Sequence, residues 1–184
     1  MPSLFLHADD PLWQPADPDS LAATLRDLGL IGPSAASDHV AGFQAGEQFL
    51  KLVMFLGCSP QIVLDPELAE QGQTVCQIRL LTYREVTLLT GKSKPAVRCT
   101  KCRAAVDLSR AGSFEARYKC QQCGNESRAS DLDWRQSAGF GRCFVEVSGI
   151  YPQEAVPSDK LLNALHAYSH CNWKYFYYSA LVPP

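Results

Sequence analysis

The spacing of apolar side chains predicts strands at five places along the chain. Period-two alternation, or a dense run of β-branched and aromatic residues, is typical of strands. These patterns cover residues 4–7, 74–81, 86–89, 142–150 and 173–178. In the second of them, Cys76, Ile78 and Leu80 alternate with polar neighbours, so one face of that strand is expected to be buried. A bulge or turn is expected at residues 82–85, where the alternation breaks.

Apolar residues spaced three and four apart predict three helices. Asp17 is expected to cap the first, with Pro18 at the first helical position and Gly29 at its end. The second, capped by the serine at its start, is expected to run over residues 37–56. Ser158 is expected to cap the third, which precedes the last strand.

The order of these elements predicts the fold class. Outside a central cysteine-rich segment the order is strand, helices, strand, then strand, helix, strand. This βαββαβ order is typical of an α+β, ferredoxin-like sandwich. The cysteine-rich segment falls at the tip of the central hairpin, where a sheet tolerates an insertion. We therefore expect an α+β body made of residues 1–91 and 131–184, with residues 92–130 inserted as a separate module.

Two Cys-x-x-Cys pairs predict a metal site in the inserted segment. Cys99 and Cys102 form the first pair, and Cys120 and Cys123 form the second after seventeen residues. This spacing is typical of a four-thiolate zinc site, in which each tight turn offers two sulfurs to one ion. Four thiolates close the coordination shell, so the predicted zinc is structural rather than catalytic. Two redox-active pairs, or disulfides, are the alternative interpretation.

Residues 97–130 resemble the zinc-ribbon family, with rubredoxin-like knuckles. Gly124 matches the glycine that follows the second cysteine of such a knuckle, where the backbone takes a positive φ. Arg103 departs from the pattern at the equivalent place of the first knuckle, and a left-handed arginine costs about 1–2 kcal/mol. That cost is small beside the roughly 10–16 kcal/mol of apparent binding energy of structural zinc. Alternation of Phe114, Ala116 and Tyr118 with polar neighbours predicts a strand before the second pair, and residues 104–108 are expected to be its partner in a β-hairpin.

A weaker resemblance is to the RNA-recognition motif, another βαββαβ fold. It is carried by residues 139–141 and 144–147, with residues 4–6 as the first strand. The sequence departs from the motif where Val147 stands in place of an aromatic residue and Ala138 in place of a basic one. These departures remove platforms on which bases would stack.

Composition and cysteine usage favour a cytoplasmic protein. The chain has 46% hydrophobic and 20% charged residues, as ordinary globular proteins do. No secretory signal is evident at the start, and the most apolar stretch, residues 49–57, is too short to span a bilayer. No membrane association is expected. Cys76 and Cys143 are expected to be buried and adjacent, because each lies on the apolar face of a strand that flanks the cysteine-rich segment. They are expected to be free thiols, because a four-thiolate site is favoured in a reducing compartment.

Charge is unevenly distributed and predicts the kind of partner. Residues 92–128 hold nine Lys/Arg and three Asp/Glu, a balance of +6, against −8 for the rest of the chain, so the net charge is −2. Such a basic segment favours weak, non-specific contact with nucleic-acid phosphates. The expected contact residues are Lys92, Lys94, Arg98, Lys101, Arg103, Arg117 and Lys119.

Other functions remain open from the sequence alone. The same basic residues would also suit a protein adaptor that docks on an acidic partner. An enzyme whose site lies in the acidic body without a recognisable motif is a third possibility, although a small-molecule ligand is disfavoured. His166 and His170 are one helical turn apart and could hold a second metal, or could lie on a polar face near the end of a helix.

Overall fold

The computed structural model describes residues 1–35, 42–57, 62–65, 67, 69, 73, 75–91, 96–106 and 114–179. Their strands are β1 (Ser3–Ala8), β2 (Ile31–Ala35), β3 (Gly42–Ala45), β4 (Val53–Phe55), β5 (Ile78–Thr90), β6 (Arg117–Lys119), β7 (Glu126–Arg128), β8 (Ala138–Ser148), β9 (Ala155–Pro157) and β10 (Trp173–Tyr178). Their helices are α1 (Pro18–Asp27), α2 (Phe49–Leu52) and α3 (Asp159–Ser169). The protein is a mixed α and β fold dominated by antiparallel sheet.

Six strands form the main sheet, in the order β10-β1-β8-β5-β3-β2, and every neighbouring pair is antiparallel. Strands β4 and β9 form a separate two-stranded sheet, and β6 and β7 form another. The partner of β6 thus follows the second cysteine pair, and the partner strand expected at residues 104–108 is wrong. Strands β5 and β8 are the longest and pair with each other, with a register shift between Thr82 and Thr87. That shift agrees with the bulge or turn expected at residues 82–85. The cysteine-rich segment leaves the sheet at the end of β5 and returns at the start of β8.

The caps predicted for the first and third helices are present. The Asp17 side chain accepts a hydrogen bond from the Asp19 N–H, with Pro18 in the first turn. The Ser158 hydroxyl accepts from the Leu161 N–H at 3.3 Å. Each bond satisfies an N–H that the helix itself leaves unpaired, so both helix starts are defined by local sequence.

The main hydrophobic core lies between the sheet and the helices. Leu4 and Leu6 of β1 and Val145 of β8 are fully buried there with Leu25 of α1 and Leu161 of α3. Alternate residues of the strands point to this face, as a period of two requires. Full burial of each such side chain stabilises the fold by about 1.5–3 kcal/mol.

The opposite face of the sheet is covered by aromatic side chains. The Phe5 and Phe176 rings stack with centroids 5.2 Å apart, and Phe144 meets Phe5 edge-on at 6.4 Å. A Cβ at Gly139 would lie 2.6 Å from His7 Nε2, so only glycine fits there. Because Phe5 and Phe144 are at most 5% exposed, neither ring offers a free face on which a base could stack.

The long helix predicted over residues 37–56 is wrong. Residues 36–41 lie outside the described part of the chain, and β3, the four-residue α2 and β4 come next along the chain. Gly46 explains the difference. Its N–H donates to the Leu30 carbonyl at 2.8 Å, and a Cβ there would lie 2.3 Å from the Gly29 carbonyl oxygen. The chain at Gly46 therefore lies against the residues that follow α1. A continuous helix through Gly46 would not allow this contact.

The strand predicted from residue 74 begins later, at Ile78, and the expected adjacency of Cys76 and Cys143 is wrong. Both thiols are buried and free, as expected. Cys143, however, lies opposite Thr82 in the β5–β8 register. Cys76 precedes Thr82 by six residues, which is roughly 20 Å along an extended chain. The two cysteines share one core without touching.

Candidate metal centre and adjoining crevice

The two Cys-x-x-Cys turns have the same backbone hydrogen bonds. Arg103 N–H donates to the Cys99 carbonyl, and Gly124 N–H donates to the Cys120 carbonyl, both at 2.9 Å. The N–H of each pair's first cysteine then donates to a carbonyl just beyond the turn, that of Ala104 in the first pair and of Asn125 in the second. Two matching turns thus present two pairs of sulfurs.

Both turns place the residue after the second cysteine in the left-handed region. Gly124 has φ 69° and Arg103 has φ 60°. The positive φ predicted from the family pattern is therefore present in each turn. Arginine tolerates this backbone at a cost of about 1–2 kcal/mol, which glycine does not incur.

The four sulfurs lie together at a spacing that suits one metal ion. All four ligand atoms fall within 4.8 Å of one another. The Cys99 and Cys123 sulfurs are 3.8 Å apart, and those of Cys102 and Cys120 are 3.5 Å apart. Four sulfurs placed tetrahedrally at about 2.3 Å from an ion are about 3.8 Å apart, so this cluster can hold a metal. None of the four is in a disulfide.

Backbone amides favour the thiolate form of Cys99 and Cys120, the first cysteine of each pair. The N–H groups of Cys123 and Gln122 lower the pKa of Cys120 to about 6. Those of Cys102 and Lys101 lower the pKa of Cys99. At Cys102 the Ala104 amide acts in the same direction, but the neighbouring thiols, led by Cys123, and desolvation raise its pKa to about 12. Four thiolates this close repel one another unless a cation lies between them.

A second hydrophobic cluster joins the cysteine turns to the sheet. Val97, Leu132 and Trp134 are buried in it with Ala138 and Phe140 from the start of β8. The Trp134 indole N–H donates to the Ala129 carbonyl at 2.8 Å, and its ring meets Phe140 edge-on at 5.4 Å. The cysteine turns are therefore joined by this cluster to the ends of β5 and β8.

The basic residues expected to contact a partner lie in different places. Lys92 and Lys94 fall outside the described residues. Lys101 is exposed in the first cysteine turn. Arg117 and Lys119 are exposed on β6, opposite Arg128 and Glu126 of β7 respectively.

Arg98 and Arg103, the remaining two, line a crevice of about 380 Å³ together with Arg135. The rest of its wall consists of Asp133, Gln136 and Gln153. Within the described part of the chain, none of the three arginines forms an ion pair. The crevice therefore holds three guanidinium groups against one carboxylate.

The loop that supplies Arg135 is held in an unusual backbone conformation. Arg135 and Gln136 both have positive φ, at 51° and 55°. The Asp133 carboxylate accepts from the Arg135 N–H at 2.9 Å, and the Gln136 carbonyl accepts from the Tyr177 N–H at 2.9 Å. Two consecutive left-handed residues without glycine cost about 1–2 kcal/mol each, and such strain is concentrated at functional sites.

A second cleft, of about 360 Å³, opens beside this crevice and shares Asp133, Arg135 and Gln136 with it. Its wall carries Trp134, Phe140, Trp173 and Tyr175. His7, Asp9 and Lys174 add polar groups to the same wall. The pair of cavities is thus basic at one end and aromatic at the other.

Sequence reasoning missed the loop that separates the two cavities. Residues 127–141 were expected to be a polar return linker. The signal that could have corrected this is Trp134, since a tryptophan in a polar stretch is usually buried by contacts elsewhere in the chain. Arg135 could not have been found in this way, because its role depends on lying beside Arg98 and Arg103.

Of the two interpretations of His166 and His170, the structure favours polar residues near the end of a helix over a second metal site. His166 Nδ1 lies 3.0 Å from the Cys171 carbonyl oxygen, which occupies one nitrogen of that ring. His170 ends α3 in a left-handed conformation, with φ 58°. Across the described ranges, the four cysteines form the group of residues that could hold a metal ion.

Comparison of the chain with protein-family models, with curated proteins and with solved structures finds no match. In the described part of the chain, no helix is long and apolar enough to cross a membrane.

Proposed function

We propose that Cys99, Cys102, Cys120 and Cys123 bind one structural Zn²⁺ and that the resulting zinc ribbon contacts nucleic acid. The observation that carries the nucleic-acid proposal is the crevice in which Arg98, Arg103 and Arg135 converge without an ion-pair partner among the described residues. Guanidinium groups suit phosphate oxygens because their planar forks donate two parallel hydrogen bonds.

Zinc is the metal that best suits the donor set. Soft thiolates favour zinc, copper(I) or iron–sulfur clusters over hard cations. Sulfur separations of 3.5 and 3.8 Å support a tetrahedral shell around one ion. When bound, the ion neutralises the thiolates and stiffens the two turns, and with four sulfurs it leaves no position for a substrate.

We also propose a ferredoxin-like core for the body, with residues 92–130 as the inserted ribbon. The order β10-β1-β8-β5, antiparallel throughout, supports the core, because a βαββαβ chain gives the sheet order 4-1-3-2. The pairing of β5 with β8 supports an insertion at a hairpin tip. Free thiols at Cys76 and Cys143 support a reducing compartment such as the cytoplasm.

The charge distribution favours a short or single-stranded target. The balance of +6 over residues 92–128 attracts phosphates, while the −8 balance of the rest repels a long duplex wherever it leaves the ribbon. Binding is expected to be weak and to be governed by phosphate contacts rather than by base sequence.

Fluorescence anisotropy with labelled single-stranded RNA and DNA at several salt concentrations tests this function. If phosphate contacts dominate, log K falls with log salt at a slope of about −0.7 per contact. Lys101→Glu with Arg117→Glu should lower both the affinity and the slope. The matched control, Lys51→Glu with Lys160→Glu, makes the same charge change at exposed positions of α2 and α3 and should have a smaller effect on both.

Failure of every oligonucleotide to bind at low salt would refute the nucleic-acid function. Recovery of an acidic protein with the purified chain, together with that failure, would favour the adaptor function instead.

A further inference from the structure

We infer that the paired cavities beside the ribbon hold one unpaired nucleotide of the bound strand, with its phosphate in the arginine crevice and its base in the aromatic cleft. This inference rests on the proposed nucleic-acid function and specifies its ligand. It assigns a binding role to the loop of residues 133–137, which the sequence predicts to be a linker.

The phosphate end is defined by Arg98, Arg103 and Arg135. All three side chains are exposed and line one crevice of about 380 Å³. They come from the strand-like entry to the ribbon, the first cysteine turn and the return loop, so the metal-binding fold and the body both position them. Asp133 is the single carboxylate on that wall, and its Oδ1 already accepts the Arg135 N–H.

The base end is defined by the cleft of about 360 Å³, a volume within the range of about 300–1,000 Å³ usual for small-molecule sites. Tyr175 is partly exposed in its wall and offers a ring on which a base can stack, while Trp134 and Phe140, each 7% exposed, form the apolar floor beside it. Asp9 and Asp133 are acceptors that suit the exocyclic amino group of a base such as cytosine.

The two cavities adjoin, because both include Asp133, Arg135 and Gln136 in their walls. The inferred nucleotide therefore spans the loop that these residues form, with one end in each cavity. A base within a duplex is stacked and paired and could not enter the cleft, which favours a single strand. An acidic peptide fits less well, because its carboxylates would meet those of Asp9 and Asp133.

Cytidine 5′-monophosphate is the probe that tests the inference, with binding followed by calorimetry and by tryptophan fluorescence. Ribose 5-phosphate, which carries the phosphate without a base, should bind about tenfold more weakly, since it leaves the aromatic cleft empty. The R98Q/R103Q/R135Q variant should lower the affinity for the mononucleotide by about tenfold or more, because it removes the charge-assisted contacts to phosphate. The matched control, K101Q/R117Q/K119Q, removes the same charge outside the crevice and should bind the mononucleotide within about twofold of the native chain.

Amide chemical shifts of the native chain provide a test that needs no variant. Adding the mononucleotide should shift the signals of residues 133–138 and leave those of α1 unchanged. Shifts confined to other regions would overturn the inference, and so would equal affinity for ribose 5-phosphate.

The outcomes separate this inference from the function on which it rests. Oligonucleotides could bind the native chain, lose affinity equally in both triple variants and not be displaced by the mononucleotide. In that case the nucleotide pocket is wrong, but the proposed binding of nucleic acid by the basic ribbon stands. If no oligonucleotide binds the native chain, both proposals fail. Displacement of the mononucleotide by oligoglutamate at lower concentration than by an oligonucleotide would also overturn the inference, in favour of an acidic protein.

Discussion

Strands β5 and β8 run through two regions of the protein that are stabilised in different ways. At the helix end they contribute to a core whose buried leucine and valine side chains have no exposed surface. At the ribbon end they meet a smaller cluster, in which Leu132, Trp134 and Phe140 each remain 7% exposed. The helix end can fold by burying apolar surface alone, whereas in our proposal the ribbon end also depends on bonds from its cysteines to a metal.

The largest effect is expected from removing one metal ligand. Cys120→Ser should abolish binding of the proposed zinc, which contributes roughly 10–16 kcal/mol of apparent energy to sites of this kind. Elemental analysis should fall from about one equivalent to none. Hydrogen exchange should rise in residues 96–106 and 114–132 and at the adjoining ends of β5 and β8, but not at the helix end.

Cys171→Ser is the matched control, because Cys171 is a free cysteine outside the cluster. It should retain the metal and the exchange pattern of the native chain. Retention of a full equivalent by Cys120→Ser, or recovery of the four ribbon cysteines as two disulfides, would show that this metal centre is wrong.

A cavity in the main core should lower the stability of the folded chain and leave its metal content unchanged. Leu6 is fully buried in β1, an interior strand of the main sheet, so Leu6→Ala should lower the free energy of unfolding by about 2–5 kcal/mol in urea titrations. The metal content of the folded protein should not change. Leu12→Ala, at a residue 57% exposed, should cost much less, and equal costs for the two variants would contradict the assigned core.

The pH dependence of stability should identify a buried histidine at the boundary between the two regions. Burial lowers the pKa of His7 to about 4, with Lys174 acting in the same direction and the Ala8 carbonyl and Asp9 opposing it. Between pH 6.5 and 4 the unfolded chain therefore binds one proton more than the folded chain. This histidine contributes stability above that range, and the contribution falls by about 1.4 kcal/mol per pH unit as pH drops through it.

Urea titrations at pH 7 and pH 5 measure this dependence. His7→Gln should reduce the loss of stability on acidification by up to about 2 kcal/mol, because the variant has no proton to take up. His170→Gln, which changes an exposed histidine, should keep the dependence of the native chain. An unchanged dependence in His7→Gln would mean that this histidine is accessible to water.

The smallest effect is expected from the backbone of the two cysteine turns. Arg103→Gly should tighten metal binding by about 1 kcal/mol in chelator competition, because glycine adopts φ 60° without strain. Gly124→Ala should weaken it by a similar amount, since a Cβ there would meet no atom within 4 Å and only the backbone conformation is penalised. Arg103→Ala removes the same side chain but keeps the Cβ. If it tightened metal binding as much as Arg103→Gly does, the gain would not come from relief of backbone strain.

Local signals account for what could be predicted from the sequence. The caps at Asp17 and Ser158, the strands around Leu6 and Phe176, and the cysteine turns each depend on residues close together in the chain. The segment of residues 42–55 could not be predicted, because its apolar residues fit helical spacing equally well. Non-local contacts select the strand over residues 42–45, namely that of Gly46 with Gly29 and the pairing of β3 with β2 and β5.

The candidate site also has one part that local sequence predicts and one part that depends on non-local contacts. The four cysteines are identified by spacing within each turn, and the structure brings both turns together. The crevice depends on Arg135 lying beside two arginines of the ribbon, and that requires a loop held by Trp134 and by the Tyr177 backbone. Charge counting found a basic segment but could not find this convergence.

The proposed zinc and the proposed nucleic-acid contacts are connected, because Arg103 lies in the first of the cysteine turns that would hold the ion and Arg98 directly precedes that turn. The most direct test is therefore to measure binding of a labelled single-stranded oligonucleotide before chelation, after chelation and after one equivalent of Zn²⁺ is restored. Binding should be lost with the metal and should return with it. Equal binding by the metal-free chain would show that its basic residues act without the folded ribbon, and would contradict the central claim.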